Sequence, residues 1–460
     1  MKSIQSPKTF YIQNLGCAKN QVDADVMVHA LEAEGWTHVA EPRDDSAILV
    51  NTCAFIHDAK EESISSILDL RAAYPAATLV ATGCLAQRYG TDLAEEMAEL
   101  DGVFGNRAPA RIARFLAEDL PAGRRILVPT EHGLEAGRTN RFSYPGSAYV
   151  KIAEGCDTRC AFCAIPLIRG GLASRRVEDI LDEVKGLLAD GAREIILVAQ
   201  DLTTFGRDRA GDAGDAPAGA PRETLMSLLA EFSKLAGDFW IRLLYLYPER
   251  FPLSLLDLCA ADPRILPYFD IPFQHASRAV LRGMARPGDA ERFLQLLGRI
   301  REAAPDAVVR STFMLGYPGE TDDAFTELHD FIRAASLDWA GFFTYSPEED
   351  TPAYRSRKIG PRVPASVARR RKDLLEQTQG EITRSRLDRF VERILPVLVE
   401  EPVAGEDLAI GRCYAQAPEV DGLVVIRTED VPAGAVRPGE TVPVRILRRN
   451  GIDLEGVPAP

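Results

Sequence analysis

No apolar run in this 460-residue sequence approaches the roughly 20 residues that a membrane-spanning helix requires. Runs such as the IILVA of EIILVA stop at five. The beginning, MKSIQSPKTFYIQNLG, has no long apolar core of the kind that opens a signal peptide. A cytoplasmic location is the expectation, with no membrane partner. An excess of positive charge is also missing. Lys and Arg number 54 against 68 Asp and Glu, a net charge of −14, which argues against a broad nucleic-acid-binding surface. The eight cysteines lack the dense spacing of a small secreted disulfide framework. In a reducing compartment such cysteines point to metal binding or catalysis.

What is present is a repeated alternation of short apolar runs and helical segments. TFYIQNLGC is followed by VDADVMVHALEAEG, AILVNTC by AKEESISSILDLRAAYP, and TLVATGC by LAQRYGTDLAEEMAEL. Three βα units predict a parallel sheet over residues 8–118. Residues 119–141, rich in Pro, Gly and Arg, read as a linker. The alternation then resumes over 142–380 in AYVKIAEG, EIILVAQD, WIRLLYLYP, YFDIPFQH, AVVRSTFMLGYPG and WAGFFTYSP. Six repeats predict an open (β/α)6 barrel, a TIM-like barrel missing two units. Residues 206–221, GRDRAGDAGDAPAGAP, interrupt it as a flexible loop.

From 355 to 393 the chain is basic, with twelve Lys/Arg against five Asp/Glu. Its last part, 381–393, reads as a solvated helical connector. Residues 394–455 hold short strands between Gly and Pro, such as ILPVLVEEP and GLVVIRTED, and predict a small all-β barrel.

The chemistry begins at GCDTRCAFC, where Cys156, Cys160 and Cys163 are spaced C-x3-C-x2-C with no fourth partner close by. A structural zinc site takes four ligands. Three soft thiolates suit three irons of a 4Fe–4S cube and leave the fourth iron free to bind another molecule. A zinc ion completed by a distant residue is the alternative. Further along, the ends of other strand candidates offer Gln200, Asp201, Tyr247, Gln274, His275 and Ser346 around the same mouth. Gly170 and Gly171 would let backbone approach a cofactor, or make an ordinary turn.

Cys17, Cys53 and Cys84 are 36 and 31 residues apart, beyond the reach of any short motif. Each ends a strand candidate, and parallel strands bring their carboxyl ends to one edge. The three converge on a second cluster or are small buried thiols. Cys259 and Cys413 read as structural.

C-x3-C-x2-C after the first strand of a partial barrel resembles the radical S-adenosylmethionine superfamily. LGCAKNQVDAD, NTCAFIHDAKEES and TGCLAQR resemble the amino-terminal domain of its methylthiotransferases, and the tail is similar to the TRAM module. That resemblance implies two 4Fe–4S clusters. Cys17, Cys53 and Cys84 would hold one, and Cys156, Cys160 and Cys163 the other, whose open iron chelates S-adenosylmethionine. One S-adenosylmethionine would donate a methyl group to a sulfur on the first cluster. A second would be cleaved to a 5′-deoxyadenosyl radical that takes hydrogen from the substrate, at the cost of an electron from a separate donor.

One branch of the family modifies adenosine in transfer RNA. The other modifies the β-carbon of an aspartate in bacterial ribosomal protein S twelve. CAFCAIPLIRGGLASR, VAQDLTTFG, IRLLYLYP, YFDIPFQHAS and RSTFMLGYPGET resemble the second branch, with Leu202 and Leu244 departing from its usual pattern. Residues 394–460 carry eleven acids and six bases, which suits a basic protein better than an RNA.

Overall fold

The alternating runs form two parallel sheets joined by a helix whose first three turns are buried on all sides. The computed structural model describes residues 8–123, 125–134, 137–211, 223–356, 359–429, 431–432 and 434–459. Its first sheet runs in the order Thr37–His38, Thr9–Asn14, Ala47–Thr52, Thr78–Thr82, Gly102–Gly105, Ile126–Leu127, parallel throughout. The three expected βα units form its centre. Three short strands were not legible, because two to four residues carry too little periodicity.

One of these, Ile126–Leu127, falls within 119–141, which is therefore more than a linker. In the same stretch Arg138 pairs with Asp25 at 3.1 Å and with Glu183 at 2.6 Å, strapping helix Ala18–Ala33 to the barrel. That helix is buried from Ala18 to Val28 without interruption, polar residues included. It lies between the first sheet and strand Ser147–Lys151 of the second.

The second sheet follows chain order: Ser147–Lys151, Glu194–Val198, Trp240–Leu243, Ile265–Asp270, Val308–Leu315, Trp339–Thr344. All its pairings are parallel, giving the open (β/α)6 barrel. The strands are shorter than the apolar runs because the last residues of each run leave the sheet to form the mouth. Helices cover the outer face, where Ile180, Val184 and Leu187 pack with Ile195 and Leu197. On the other face Tyr149, Ile196, Tyr268 and Trp339 pack with Val397, Val399, Val424 and Ile426 of the tail.

That tail is a closed five-stranded barrel reaching Pro458. It docks through buried polar contacts as well as apolar ones. Arg412 donates to Glu194 at 2.7 Å and the Trp339 indole to the Ala415 carbonyl at 2.7 Å.

The basic stretch folds differently from the expected connector. One helix, Ala365–Leu387, crosses the 381 boundary and packs on strand Trp339–Thr344. Barrel carboxylates take up its charges: Arg371 pairs with the buried Glu320 and, at 2.6 Å, with the exposed Asp322, while Arg386 and, just beyond the helix, Arg389 pair with the buried Asp338 at 3.0 and 2.6 Å. Residues 212–221 of the expected flexible loop lie outside the described residues. Among the described residues no helix is long and apolar enough to cross a membrane.

Candidate metal centres

Cys17, Cys53 and Cys84 stand at one edge of the first sheet, each where a strand ends. Cys17 precedes helix Ala18–Ala33, Cys53 follows strand Ala47–Thr52, and Cys84 lies in helix Gly83–Arg88. Side chains lock the three connections together. Asn20 donates to the Thr52 carbonyl at 2.9 Å, and Asn51 donates to Asn14 and to the Asn20 carbonyl, both at 2.7 Å. The Ser63 hydroxyl accepts the Cys53 N–H at 3.1 Å, and Asn106 Nδ2 donates to Cys84 Sγ at 3.3 Å. Gly83 has φ +90°, and a Cβ there would sit 2.5 Å from the Thr52 carbonyl oxygen, so only glycine fits.

Cys17 bears on the ionisation of Cys53, and both bear on that of Cys84. Burial pushes the Cys53 thiol up and the Cys84 thiol up to about 12. Cys17 goes the other way. Burial would raise it too, but the Lys19 ammonium and the Arg169 guanidinium outweigh that and hold it below the ordinary range.

The second trio is held by backbone. Cys156 N–H donates to the Gly170 carbonyl at 3.1 Å and Cys163 N–H to the Cys160 carbonyl at 3.1 Å. Ala161 is pinned on both sides, its N–H to Met284 at 2.9 Å and its carbonyl to Ala353 at 2.8 Å. Burial pushes Cys160 up and Cys163 up to about 12.

A single ion does not suit either trio. Sulfurs around tetrahedral zinc lie about 3.8 Å apart. Among the described residues the one group of three or more metal-ligating side chains within 4.8 Å of one another is the exposed His57, Asp58 and Glu61. Three soft donors at wider spacing fit the larger body of an iron–sulfur cluster. The buried thiols lose their protons on coordination. Cys259 and Cys413 join neither group: Cys259 lies in helix Ser254–Ala261, and Cys413 is fully buried in the tail.

Arg169 ties the first trio to the barrel. It ends helix Ile165–Arg169, six residues beyond Cys163, and is 2% exposed. Its guanidinium reaches Glu154 at 2.9 Å, Asn20 at 2.8 Å, Asp23 at 3.0 Å and Cys84 Sγ at 3.5 Å. Lys151 completes the cluster by pairing with Asp23 and, at 2.6 Å, with Glu154. Burial would raise the Glu154 carboxyl, but Arg169 and Lys151 hold it well below the usual range. A second clamp, Glu348, receives Arg88 at 2.7 Å and Lys60 at 3.0 Å. The sheet edge carrying the first trio thus docks on the barrel mouth.

The other expected residues divide. Gln200 donates to Glu154 at 2.9 Å while its Oε1 is buried without a partner. Gly170 and Gly171 serve the loop's own closure: a Cβ on Gly155 would lie 1.9 Å from the Gly171 carbonyl oxygen. Gln274 sits at a strand end with φ +69°, its N–H bonded to the Thr312 carbonyl at 2.8 Å. His275 is turned inward. It is fully buried, accepts the Ser277 N–H at 2.9 Å and lies 3.7 Å from Glu320. Burial and then Arg371 push it down to about 3, so it is a neutral core residue beneath the mouth. Asp201 pairs with Arg250, and Tyr247 is sandwiched between Arg250 and Arg286, at 4.0 and 4.2 Å from its ring centroid. Ser346 donates to Glu348 at 2.8 Å.

Sequence reasoning missed Lys19, Asp23, Glu154 and Arg169. Their signal was charge inside segments too apolar or too close to cysteine to be solvated, as in YVKIAEGC. Tyr245, a non-glycine residue at φ +68°, left no signal at all.

Family models match three consecutive parts of the chain: uncharacterized protein family UPF0004 at residues 9–105, the radical SAM superfamily at 150–332 and the TRAM domain at 391–458. The ribosomal protein uS12 methylthiotransferase RimO of Treponema denticola is 41% identical, over 96% of this chain and 99% of that one. Its namesake from Sorangium cellulosum is also 41% identical, over 98% and 91%. The chain belongs to the RimO family. Iron–sulfur and S-adenosylmethionine chemistry come with the radical SAM family. Among solved structures, the radical S-adenosylmethionine methyltransferase TsrM from Kitasatospora setae matches with a TM-score of 0.50 over 75% of each chain. At 16% identity that likeness concerns the fold alone.

Proposed function

We propose that this chain adds a methylthio group to the β-carbon of an aspartate in ribosomal protein uS12, in the cytoplasm. Cys17, Cys53 and Cys84 hold one 4Fe–4S cluster, and Cys156, Cys160 and Cys163 a second that binds S-adenosylmethionine. The observation that carries this reading is the contact of Arg169 with Cys84 at 3.5 Å, because it brings a barrel residue six positions beyond Cys163 onto the first trio. Relatives named for this activity over nearly the full chain supply the substrate.

Bound there, the clusters and S-adenosylmethionine supply the radical and the methylthio group, with an external electron donor. The chain supplies placement. Asp23, Lys151, Glu154 and Arg169 fix the two domains in one relative position, so a substrate atom is offered to both centres without a search. Their burial keeps water from the junction. The excess of acids in the tail suits a basic ribosomal protein.

Mass spectrometry of a strain lacking this chain tests the assignment. Ribosomal protein uS12 should lose its methylthio group and regain it when the chain is restored. Intact uS12 together with loss of methylthiolated adenosine from transfer RNA would overturn it.

A further inference from the structure

Lys19 is a buried cation at this junction that no carboxylate partners. It is 7% exposed, and among the described residues its ammonium makes no hydrogen bond or ion pair. Its one specific contact is the Tyr245 ring, whose centroid lies 3.9 Å away. A carboxylate would normally answer such a charge, since an ammonium taken from water without a partner is costly. The Cys17 thiol bears on it most, and of the carboxylates Glu154 and Asp270 do; these two, and Asp23 on the same helix, are held elsewhere. Asp23 is paired with Lys151 and Arg169. Glu154 is paired with the same two residues and accepts from Gln200. Asp270 is paired with Arg310 at 2.9 Å and accepts the Tyr245 N–H at 3.1 Å.

The position of this ammonium is as informative as its isolation. Lys19 follows Cys17 by two residues, at the start of the buried helix. Tyr245 belongs to the barrel, two residues beyond strand Trp240–Leu243, and its left-handed backbone is a strained conformation for a tyrosine. The pair therefore spans the same junction as Arg169, with one member from each domain. Three N–H donors on the ammonium and an aromatic face against one side leave it able to take an anion.

We infer that Lys19 receives the side-chain carboxylate of the target aspartate. This rests on the proposed reading of aspartate as the substrate and deepens it. The β-carbon is bonded directly to the carboxylate carbon. A charge-assisted contact of about 2.8 Å from nitrogen to oxygen therefore fixes the reacting carbon as well as the charged group. It also makes the site selective, because an asparagine of the same shape would leave the ammonium without its counter-ion.

The test compares uS12 carrying its target aspartate with uS12 carrying asparagine there, each titrated against the anaerobically reconstituted full-length chain. The unaltered chain should prefer the aspartate form on the order of tenfold or more. K19M, close to isosteric and uncharged, should bring that ratio to about one while retaining its iron, and K19R should restore part of the preference. A K19M chain that keeps the full preference overturns the inference. One that loses iron also overturns it, because Lys19 then serves Cys17 rather than the substrate. If the unaltered chain binds uS12 with no preference, this inference falls alone. If it does not bind uS12 at all, the functional reading falls first and this one with it.

Discussion

The two cysteine trios hold the same three donors by opposite means. Cys156, Cys160 and Cys163 occupy one eight-residue loop fixed by backbone hydrogen bonds, so their geometry is local to the chain. Cys17, Cys53 and Cys84 come from three strand ends and are fixed by the side chains of Asn20, Asn51, Ser63 and Asn106. Their surroundings differ too. The first trio has two buried cations at hand, Lys19 and Arg169, which draw the Cys17 thiol down although burial pushes up Cys53 and Cys84; the second has Arg286, 3.8 Å from Cys160 Sγ, which does not outweigh burial there. A backbone-held site tolerates changes in the residues around it. A site held by side chains depends on each of them.

The largest effects come from breaking one trio at a time. With both centres loaded the chain should carry about eight irons. C160S should bring the count to about four and abolish formation of 5′-deoxyadenosine. C17S should also leave about four irons, yet keep the cleavage of S-adenosylmethionine and lose the methylthiolated product. Iron analysis with chromatography of the nucleoside products reads both outcomes. A C160S chain that still forms 5′-deoxyadenosine at the normal rate would falsify the assignment of the second trio.

The same contrast governs what was legible in the sequence. The (β/α)6 barrel declared itself because each strand is an apolar run of four to eight residues, and the second trio because its spacing survives without the fold. The first trio needed the sheet as an intermediate: only after NLGC, VNTC and ATGC are read as parallel strand ends do three distant cysteines meet. The charges between the trios were hidden. Asp23 and Arg169 are 146 residues apart and nothing in their local context pairs them. The basic stretch 381–393 misled for the same reason, because Asp338, the buried carboxylate that pairs with Arg386 and Arg389, lies on a distant segment. His275 appeared at the end of an apolar run, where position along the chain does not tell inward from outward.

Arg169 offers the next test, since it is the point at which the two regions meet. R169M leaves Asp23 and Glu154 with Lys151 as their only cation and removes the N–H directed at Cys84. Loss of one partner from a buried ion-pair cluster costs about 3–5 kcal/mol. The unfolding temperature should fall, and the first trio should lose iron while the second keeps it. Preparing the variant in a C160S background separates the two, because the iron that remains then reports on the first trio alone. Equal retention of iron in R169M and the unaltered chain would remove Arg169 as the link between the centres.

Ser63 gives the smallest and most selective change. Its hydroxyl accepts the Cys53 N–H, a service that the Gly170 carbonyl performs for Cys156 in the other trio. S63A leaves that N–H without its partner, at about 1 kcal/mol. The first trio should release iron to a chelator about fivefold faster, with the second unchanged. No side-chain substitution can imitate this at Cys156, where the acceptor is backbone. The asymmetry itself is therefore the prediction: release that speeds up equally at both centres would mean that the first trio is held by its strands, and that the side chains around it are fillers rather than supports.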